Sequence, residues 1–437
     1  MGSKWEQALL GELIAAGDAV LQTGPFGTAL KAEEYTETGV PLISVREIRE
    51  GFIQLEDITP RVDSAVTARL PKFVLQEGDI VFARKGGVER NALITEREKG
   101  WFVGSDGIYL RLSKKYDAKY FSYVMRSPQV KAWLLKNCEG TTMPSLNQKI
   151  LARVPIFLPS KIQQEKIADL LFQYDEKITI NNQINQTLEQ MAQAIFKSWF
   201  VDFDPVKAKM NGEQPKGMDV TTASLFPEKL VESELGLIPK GWEASCMGEH
   251  FKITMGQSPK GETYNEDGEG IAFFQGRRDF GFRYPDVRVY TTDPKRYAKA
   301  GDTLISVRAP VGDKNMASID CCIGRGIGAI KHNSDSRSFT YAFMSHIEKK
   351  LGDNGSSGTL FNSINLKELK KVPFITPSQE LVEAFHNLVE PIDQKIEVLS
   401  KEIDSLSQLR DTLLPKLLSG EVDLENLPVE QAKALAE

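Results

Sequence analysis

The segment Val154-Pro155-Ile156-Phe157-Leu158-Pro159-Ser160 returns 218 residues later as Val372-Pro373-Phe374-Ile375-Thr376-Pro377-Ser378. The same offset carries Gly140 to Gly358, Asn147 to Asn365, Asp175 to Asp393, Lys177 to Lys395 and Leu188 to Leu406. Upstream, Gly78-Asp79-Ile80-Val81 returns as Gly301-Asp302-Thr303-Leu304 at an offset of 223, and Trp5-Glu6 with Gly11-Glu12 as Trp242-Glu243 with Gly248-Glu249 at 237. Colinear anchors whose offset shrinks from 237 to 218 identify a tandem duplication with a second copy 19 residues shorter. A duplicated chain of 437 residues builds two similar domains, since one core does not usefully grow to that size.

Each copy opens with short β-rich runs between Gly, Pro and Asp: Gly39–Val45, Asp79–Ala83 and Ile108–Leu112, then Ile271–Phe274, Thr303–Val307 and Ile327–Lys331. Each then passes into a long helical stretch. Ser160 with Gln163 forms a capping box at the first start, each side chain satisfying an orphan backbone donor of the other. Phe385, Val389, Ile392, Ile396, Leu399, Ile403, Leu406, Arg410, Leu413 and Leu417 alternate steps of four and three, a heptad seam over more than four repeats. Pro391 inside it predicts a kink or a start nearby. Shifting back by 218 gives Ile167, Leu171, Tyr174, Ile178, Asn181, Asn185, Leu188, Ala192, Ile195 and Trp199.

Two apolar stripes of matching length are most simply buried against each other, as an antiparallel coiled coil in which Asn181 and Asn185 set register. The alternative for the two asparagines is plain solvent exposure. The expected architecture is α+β: two similar mixed α/β domains separated by two long helices related by a pseudo-twofold. The expected divisions are a first domain at 1–159, a spacer helix at 160–200, a connector at 201–236, a second domain at 237–377, a distal helix at 378–420 and an acidic tail at 421–437. Forty residues of helix extend about 60 Å. The connector, with Pro205, Pro215, Pro227 and Asn211-Gly212, reads either as a flexible linker or as a packed segment covering Trp199, Phe200, Phe203 and Phe226.

Composition narrows the function. The net charge of −6 excludes a uniformly basic nucleic-acid wrapper but leaves local patches open. One such patch is Gln275–Lys331, with 11 basic and 6 acidic residues. No apolar run approaches the roughly 18 residues of a membrane span, and Met1–Leu10 does not read as a signal peptide. Cys138, Cys246, Cys321 and Cys322 make no C-x-x-C pair and the histidines are scattered, so neither a disulfide framework nor a zinc site is expected, and a reducing, cytoplasmic compartment is.

Catalytic signatures are equally scarce. The sequence holds no phosphate-loop motif and no Pro-Pro dipeptide of the kind that ends an amino-methyltransferase strand. Gly324-Arg325-Gly326-Ile327-Gly328 lacks the helix and ribose-binding acid of a dinucleotide site. Pro285-Asp286 with Asp293-Pro294-Lys295 is too cramped for a nuclease. Binding fits better.

After Gly78-Asp79 the strand exits through Arg84, Lys85, Gly86, Gly87, Arg90 and Asn91. After Gly301-Asp302 it exits through Arg308, Pro310, Gly312 and Lys314. Cations beside glycine suit phosphate contact or guanine readout, although a solvated hairpin has the same composition. Gly104-Ser105-Asp106-Gly107 and Gly324-Arg325-Gly326 stand at an offset near 219, one offering an acid and the other a guanidinium. Gln275, Arg277, Arg278, Arg283 and Arg288 lie among Phe273, Phe274, Phe280 and Phe282, which are either core or stacking platforms. Thr141 and Thr142 in Gly140–Asn147 match Thr359 and Asn362 in Gly358–Asn365, suited equally to phosphate contact and to capping. Lys31 and Arg46 complete the candidate DNA-contacting set. The contrasting expectation is a coiled-coil assembly scaffold whose heads bind proteins.

At Phe196-Lys197-Ser198-Trp199-Phe200-Val201-Asp202-Phe203-Asp204-Pro205-Val206, Leu235-Gly236-Leu237-Ile238-Pro239-Lys240-Gly241-Trp242, Cys322–Gly326 and Leu413-Leu414-Pro415-Lys416-Leu417-Leu418-Ser419-Gly420, the sequence resembles the specificity subunit of Type I restriction–modification systems over nearly its whole length. The resemblance implies a non-catalytic subunit with two target-recognition domains, each reading half of a split, asymmetric double-stranded DNA site. It implies helices that fix the unread gap and dock two modification subunits, which use S-adenosylmethionine to methylate adenine. It also implies restriction/translocase subunits that use ATP and magnesium, with no cofactor in this chain and no membrane.

Overall fold

The computed structural model describes residues 5–140, 143–353, 363–422 and 424. It forms two compact units, Met1–Ile180 with Ile403–Glu437, and Asn181–Glu402.

In the first unit a four-stranded antiparallel sheet runs in the order Ala19–Thr23, Gly107–Leu112, Ile80–Ala83, Asn91–Leu93. All of Ile80–Ala83 is buried, and its alternation divides two cores. Ile80 and Phe82 join Leu110, Tyr120, Phe121 and Leu171 on one face. Val81 and Ala83 join Ile43, Phe102 and Tyr109 on the other. A smaller sheet completes the second core, with Val40–Ile43 parallel to Phe102–Val103.

The second unit repeats this order in its four-stranded sheet: Phe251–Met255, Ile327–His332, Thr303–Ser306, Lys314–Met316, and again sets Ile271–Phe274 parallel to Cys321–Ile323 in a second sheet, which here gains one strand, Tyr297–Ala298. A short antiparallel ladder closes each head, Glu6–Leu9 with Pro155–Leu158 in one and Glu243–Cys246 with Pro373–Thr376 in the other. Each strand expected from the sequence is found, and the duplication of sequence is a duplication of strand order in the four-stranded sheet.

The long helices are Lys161–Phe200 and Gln379–Ser419. The capping box is made: Gln163 N donates to Ser160 Oγ at 3.4 Å and Ser160 N to Gln163 Oε1 at 3.1 Å. In the first unit Ile167, Leu171 and Tyr174 share a core with Leu413, Leu414 and Leu417, and Arg410 Nη1 reaches Asp175 Oδ1 at 2.7 Å. In the second, Asn181 Nδ2 donates to Glu402 Oε2 at 2.9 Å, Asn185 Nδ2 to Ser400 Oγ at 3.4 Å, and the Trp199 ring meets that of Phe385. Rising numbers on one helix face falling numbers on the other, so the pair is antiparallel within each unit. Every seam position of both helices is buried or half-buried, Ile178, Leu188, Ile195, Val389, Ile392, Ile396, Leu399, Ile403 and Leu406 included. Asn181 and Asn185 are each 1% exposed, so the solvated alternative does not hold.

Two expectations are corrected. Pro391 does not start its helix, which begins at Gln379 and runs on unbroken to Ser419. Asn387 and Pro391 are both exposed, so water can satisfy the carbonyl that proline leaves without an amide. Nor is the connector a flexible linker. It contains the helices Asp204–Met210 and Val220–Ser224 and the hairpin Leu230–Ser233 with Gly236–Pro239. Phe203, Val206 and Phe226 are buried in one core with Trp199, Phe200 and Trp242, because those aromatics need cover.

Candidate nucleic-acid interface

In the second unit, three chain segments converge beyond the ends of the sheet strands. Gly324 N donates to Phe274 O at 2.8 Å, Gly326 N to Gln275 O at 3.1 Å and Val307 N to Gly326 O at 3.0 Å. The backbones lie so close that a Cβ at Gly324 would stand 2.9 Å from Gln275 Cα, and one at Gly326 2.7 Å from Gln275 O. Glycine is required there for close approach. The convergence leaves a concavity of about 250 Å³ lined by Gln275, Gly276, Arg277, Ser306, Arg308, Ala309, Arg325 and Gly326. Four candidates named from the sequence, Gln275, Arg277, Arg308 and Arg325, are thus brought together and exposed. Arg277 is paired with Asp313, whereas the guanidinium groups of Arg308 and Arg325 make no hydrogen bond or ion pair among the described residues. Arg278 is exposed beside them.

The first unit builds the same cluster with other side chains. Arg84 N donates to Asp106 O at 2.8 Å, matching Val307 to Gly326, and Gly104 N donates to Ile43 O at 2.7 Å, matching Gly324 to Phe274. The isolated bridges Lys85 to Ser145 and Arg308 to Ser363 match as well. These bonds set the offset in the turn at 220, not near 219, so Arg325 corresponds to Ser105 and Gly326 to Asp106. Lys85 Nζ lies 3.1 Å from Asp106 Oδ1, while the Arg84 guanidinium donates to Ser105 O at 3.1 Å and stands 5.1 Å over the Phe26 ring. Arg46 is exposed in the turn that leaves Val40–Ile43, as Arg277 and Arg278 are in the turn that leaves Ile271–Phe274. Arg90 is half-buried against Gly87, and Lys31 is exposed where a short 3-10 helix begins.

Other candidates are placed differently. Asn91 is fully buried, its amide without a partner, and Lys314, its counterpart, turns inward to Glu348 Oε2 at 2.7 Å. Both lie on short strands whose alternation points them at the core, which the sequence read as loop. Arg288 is paired with Asp279 and Glu266. Phe273 and Phe274 are core, while Phe282 is exposed. Thr141, Thr142, Thr359 and Asn362 fall outside the described residues, as does most of the acidic tail.

Arg283, read from the sequence as one more surface cation, is instead 2% exposed and fastens the head to both long helices. It is paired with Glu189 of the first helix and Asp393 of the second, and its guanidinium lies 3.6 Å from the Tyr341 ring centroid. Burial opposes its charge, but Tyr341, Asp393 and Glu189 together hold its proton more firmly than in water. Burial pushes the Asp393 carboxyl up, and Arg283 pulls it back. Nearby, Arg337 grips Glu390 through Nη2 at 2.7 Å and Glu397 through Nη1 at 3.2 Å. Nothing local in the sequence marks these partners, which lie 53 to 110 residues away.

Among the described residues no His, Cys, Asp or Glu group could hold a metal ion, and no helix is long and apolar enough to cross a membrane. Comparison with known proteins gives a consistent answer. The Type I restriction modification DNA specificity domain matches residues 4–190 and again 239–408. The chain is 30% identical over 397 residues to the MjaX type I restriction enzyme specificity subunit proposed in Methanocaldococcus jannaschii, covering 88% of this chain and 87% of that one. It is 29% identical to the HindI type I restriction enzyme specificity subunit of Haemophilus influenzae, over 72% and 77% of the two. The fold is like that in the crystal structure of the Type I restriction–modification S subunit from M. genitalium, with a TM-score of 0.56 over 95% of this chain and 96% of that one, at 18% identity. With a head, its ladder and most of a long helix matched in each copy, the chain belongs to the type I restriction–modification DNA specificity family.

Proposed function

We propose that this chain binds a bipartite, asymmetric site in double-stranded DNA, each head reading one half, and thereby directs adenine methylation and restriction by partner subunits. The observation that carries this is the duplicated loop cluster: one backbone arrangement, bearing Arg46, Arg84 and Lys85 in one copy and Arg277, Arg308 and Arg325 in the other. Equal scaffolds with unequal side chains suit two unlike half-sites. The antiparallel helix pair, with its buried asparagines, suits a fixed gap between them. Two modification subunits carrying S-adenosylmethionine and restriction/translocase subunits using ATP and magnesium are the assigned partners, and this chain is the specificity member rather than the catalytic one.

The test is a gel shift of the chain with its modification subunit on random and genomic duplexes, followed by genome-wide adenine-methylation mapping with and without the chain. A split motif that appears only with the chain is the expected result. Absence of any duplex preference would point to an assembly scaffold with protein-binding heads.

A further inference from the structure

We infer that Arg325 is the side chain with which the second head reads a guanine, and that the corresponding turn of the first head, Ser105-Asp106, reads no guanine. The inference rests on the DNA-binding function proposed above.

The two turns share one backbone, so their differences lie in chemistry. In the first head the turn carries a hydroxyl and a carboxylate, and the carboxylate of Asp106 neutralises Lys85 at 3.1 Å. In the second, the acid is replaced by Gly326, the ammonium by Arg308 and the hydroxyl by Arg325, leaving two guanidinium groups without hydrogen-bond or ion-pair partners among the described residues. Phosphates are identical under both heads, so a side chain that only clamps the backbone of DNA has no reason to change its charge between copies. A side chain that reads bases does.

Position makes the same point. Arg325 sits between two glycines that the neighbouring backbone makes obligatory, and its own N–H donates to Ser258 Oγ at 3.2 Å. Its Cα is therefore fixed while its side chain projects into solvent beside Gln275. A held base and a free fork of donors is the arrangement that selective readout requires. Arginine offers five donors and no acceptor. In the major groove guanine alone sets two acceptors, O6 and N7, side by side for such a fork, whereas adenine presents an acceptor beside a donor. Glutamine at the same place matches adenine.

Adenine methylation by the complete complex of this chain with its modification subunit is mapped on a library of duplexes for the unaltered chain, Arg325→Ala and Arg325→Gln. Thermal melts of each chain verify that these exposed substitutions leave the fold intact. The expected result is a motif with guanine at one position of one half-site. Arg325→Ala relaxes that position by about 10- to 100-fold, Arg325→Gln moves it toward adenine, and the other half-site is unchanged. Uniform loss on every sequence, or an unaltered motif, overturns the assignment of Arg325 while leaving sequence-specific binding in place. A complex of the unaltered chain that yields no motif at all overturns the DNA-binding function as well.

Discussion

Asp175 and Asp393 stand 218 residues apart at the same position of the two long helices, and each gathers the contacts that tie a head to the helix pair. Around Asp175 the head supplies Tyr123, whose hydroxyl donates at 2.7 Å, and Arg126 at 3.4 Å, and the opposite helix supplies Arg410 at 2.7 Å. Around Asp393 the head supplies Arg283, and the opposite helix a second acid, Glu189. The duplication kept the acid and changed what answers it.

Arg283→Met leaves Glu189 and Asp393 without the cation that they share, in a nearly dry site. We expect it to destabilise the second unit by about 3–5 kcal/mol. Adding Glu189→Gln and Asp393→Asn restores much of that loss. Urea unfolding followed by tryptophan fluorescence measures both, and a triple variant no more stable than Arg283→Met would contradict the pairing.

Asp175→Ala costs less, about 2 kcal/mol, because side chains there keep water: Asp175 is 24% exposed and Arg410 22%, against 1% and 2% for Asp393 and Arg283. Denaturant midpoints of the two variants give the order directly. A larger loss at Asp175 would mean that burial does not set the strength of these fastenings.

His332 gives the second unit an acid sensitivity. Its ring lies 4.9 Å from Phe251 and from Phe339, its Nδ1 accepts from Ser334 N at 3.1 Å, and burial, followed by the charge of His250, pulls its pKa down to about 4. The unfolded chain binds this proton near pH 6.5 and the folded chain only near 4, so stability is fully present above 6.5 and falls as pH drops between those values, by about 3 kcal/mol in all. In His332→Gln that slope flattens. Melting temperatures from pH 7 to pH 4 test it, and an unchanged slope would assign the acid sensitivity elsewhere.

Lengthening both helices by one heptad, after Asn181 in the first and after Leu399 in the second, keeps the seam in phase on both partners. The expected readout is a methylated motif with the same half-sites and a wider gap. A heptad in one helix alone should unfold the pair, and an unaltered gap with both in place would remove the ruler role of the helices.

Much of this protein is written in its order of residues. Steps of four and three fixed which faces of the two helices are apolar, Ser160 with Gln163 marked where the first one starts, and the returning anchors required two heads of like topology, because periodicity and local hydrogen bonding act over a few residues. Partners of charge were another matter. Arg277, Lys314, Arg283 and Arg288 read alike in sequence, yet one is paired on a rim, one is folded inward, one is buried between two helices and one is held by loop acids. Asn91 read as loop and is core. Those fates depend on which distant carboxylate the sheet brings within 3 or 4 Å, a distance that only three-dimensional packing sets. The tertiary structure alone therefore decided which cations remain free to meet another molecule.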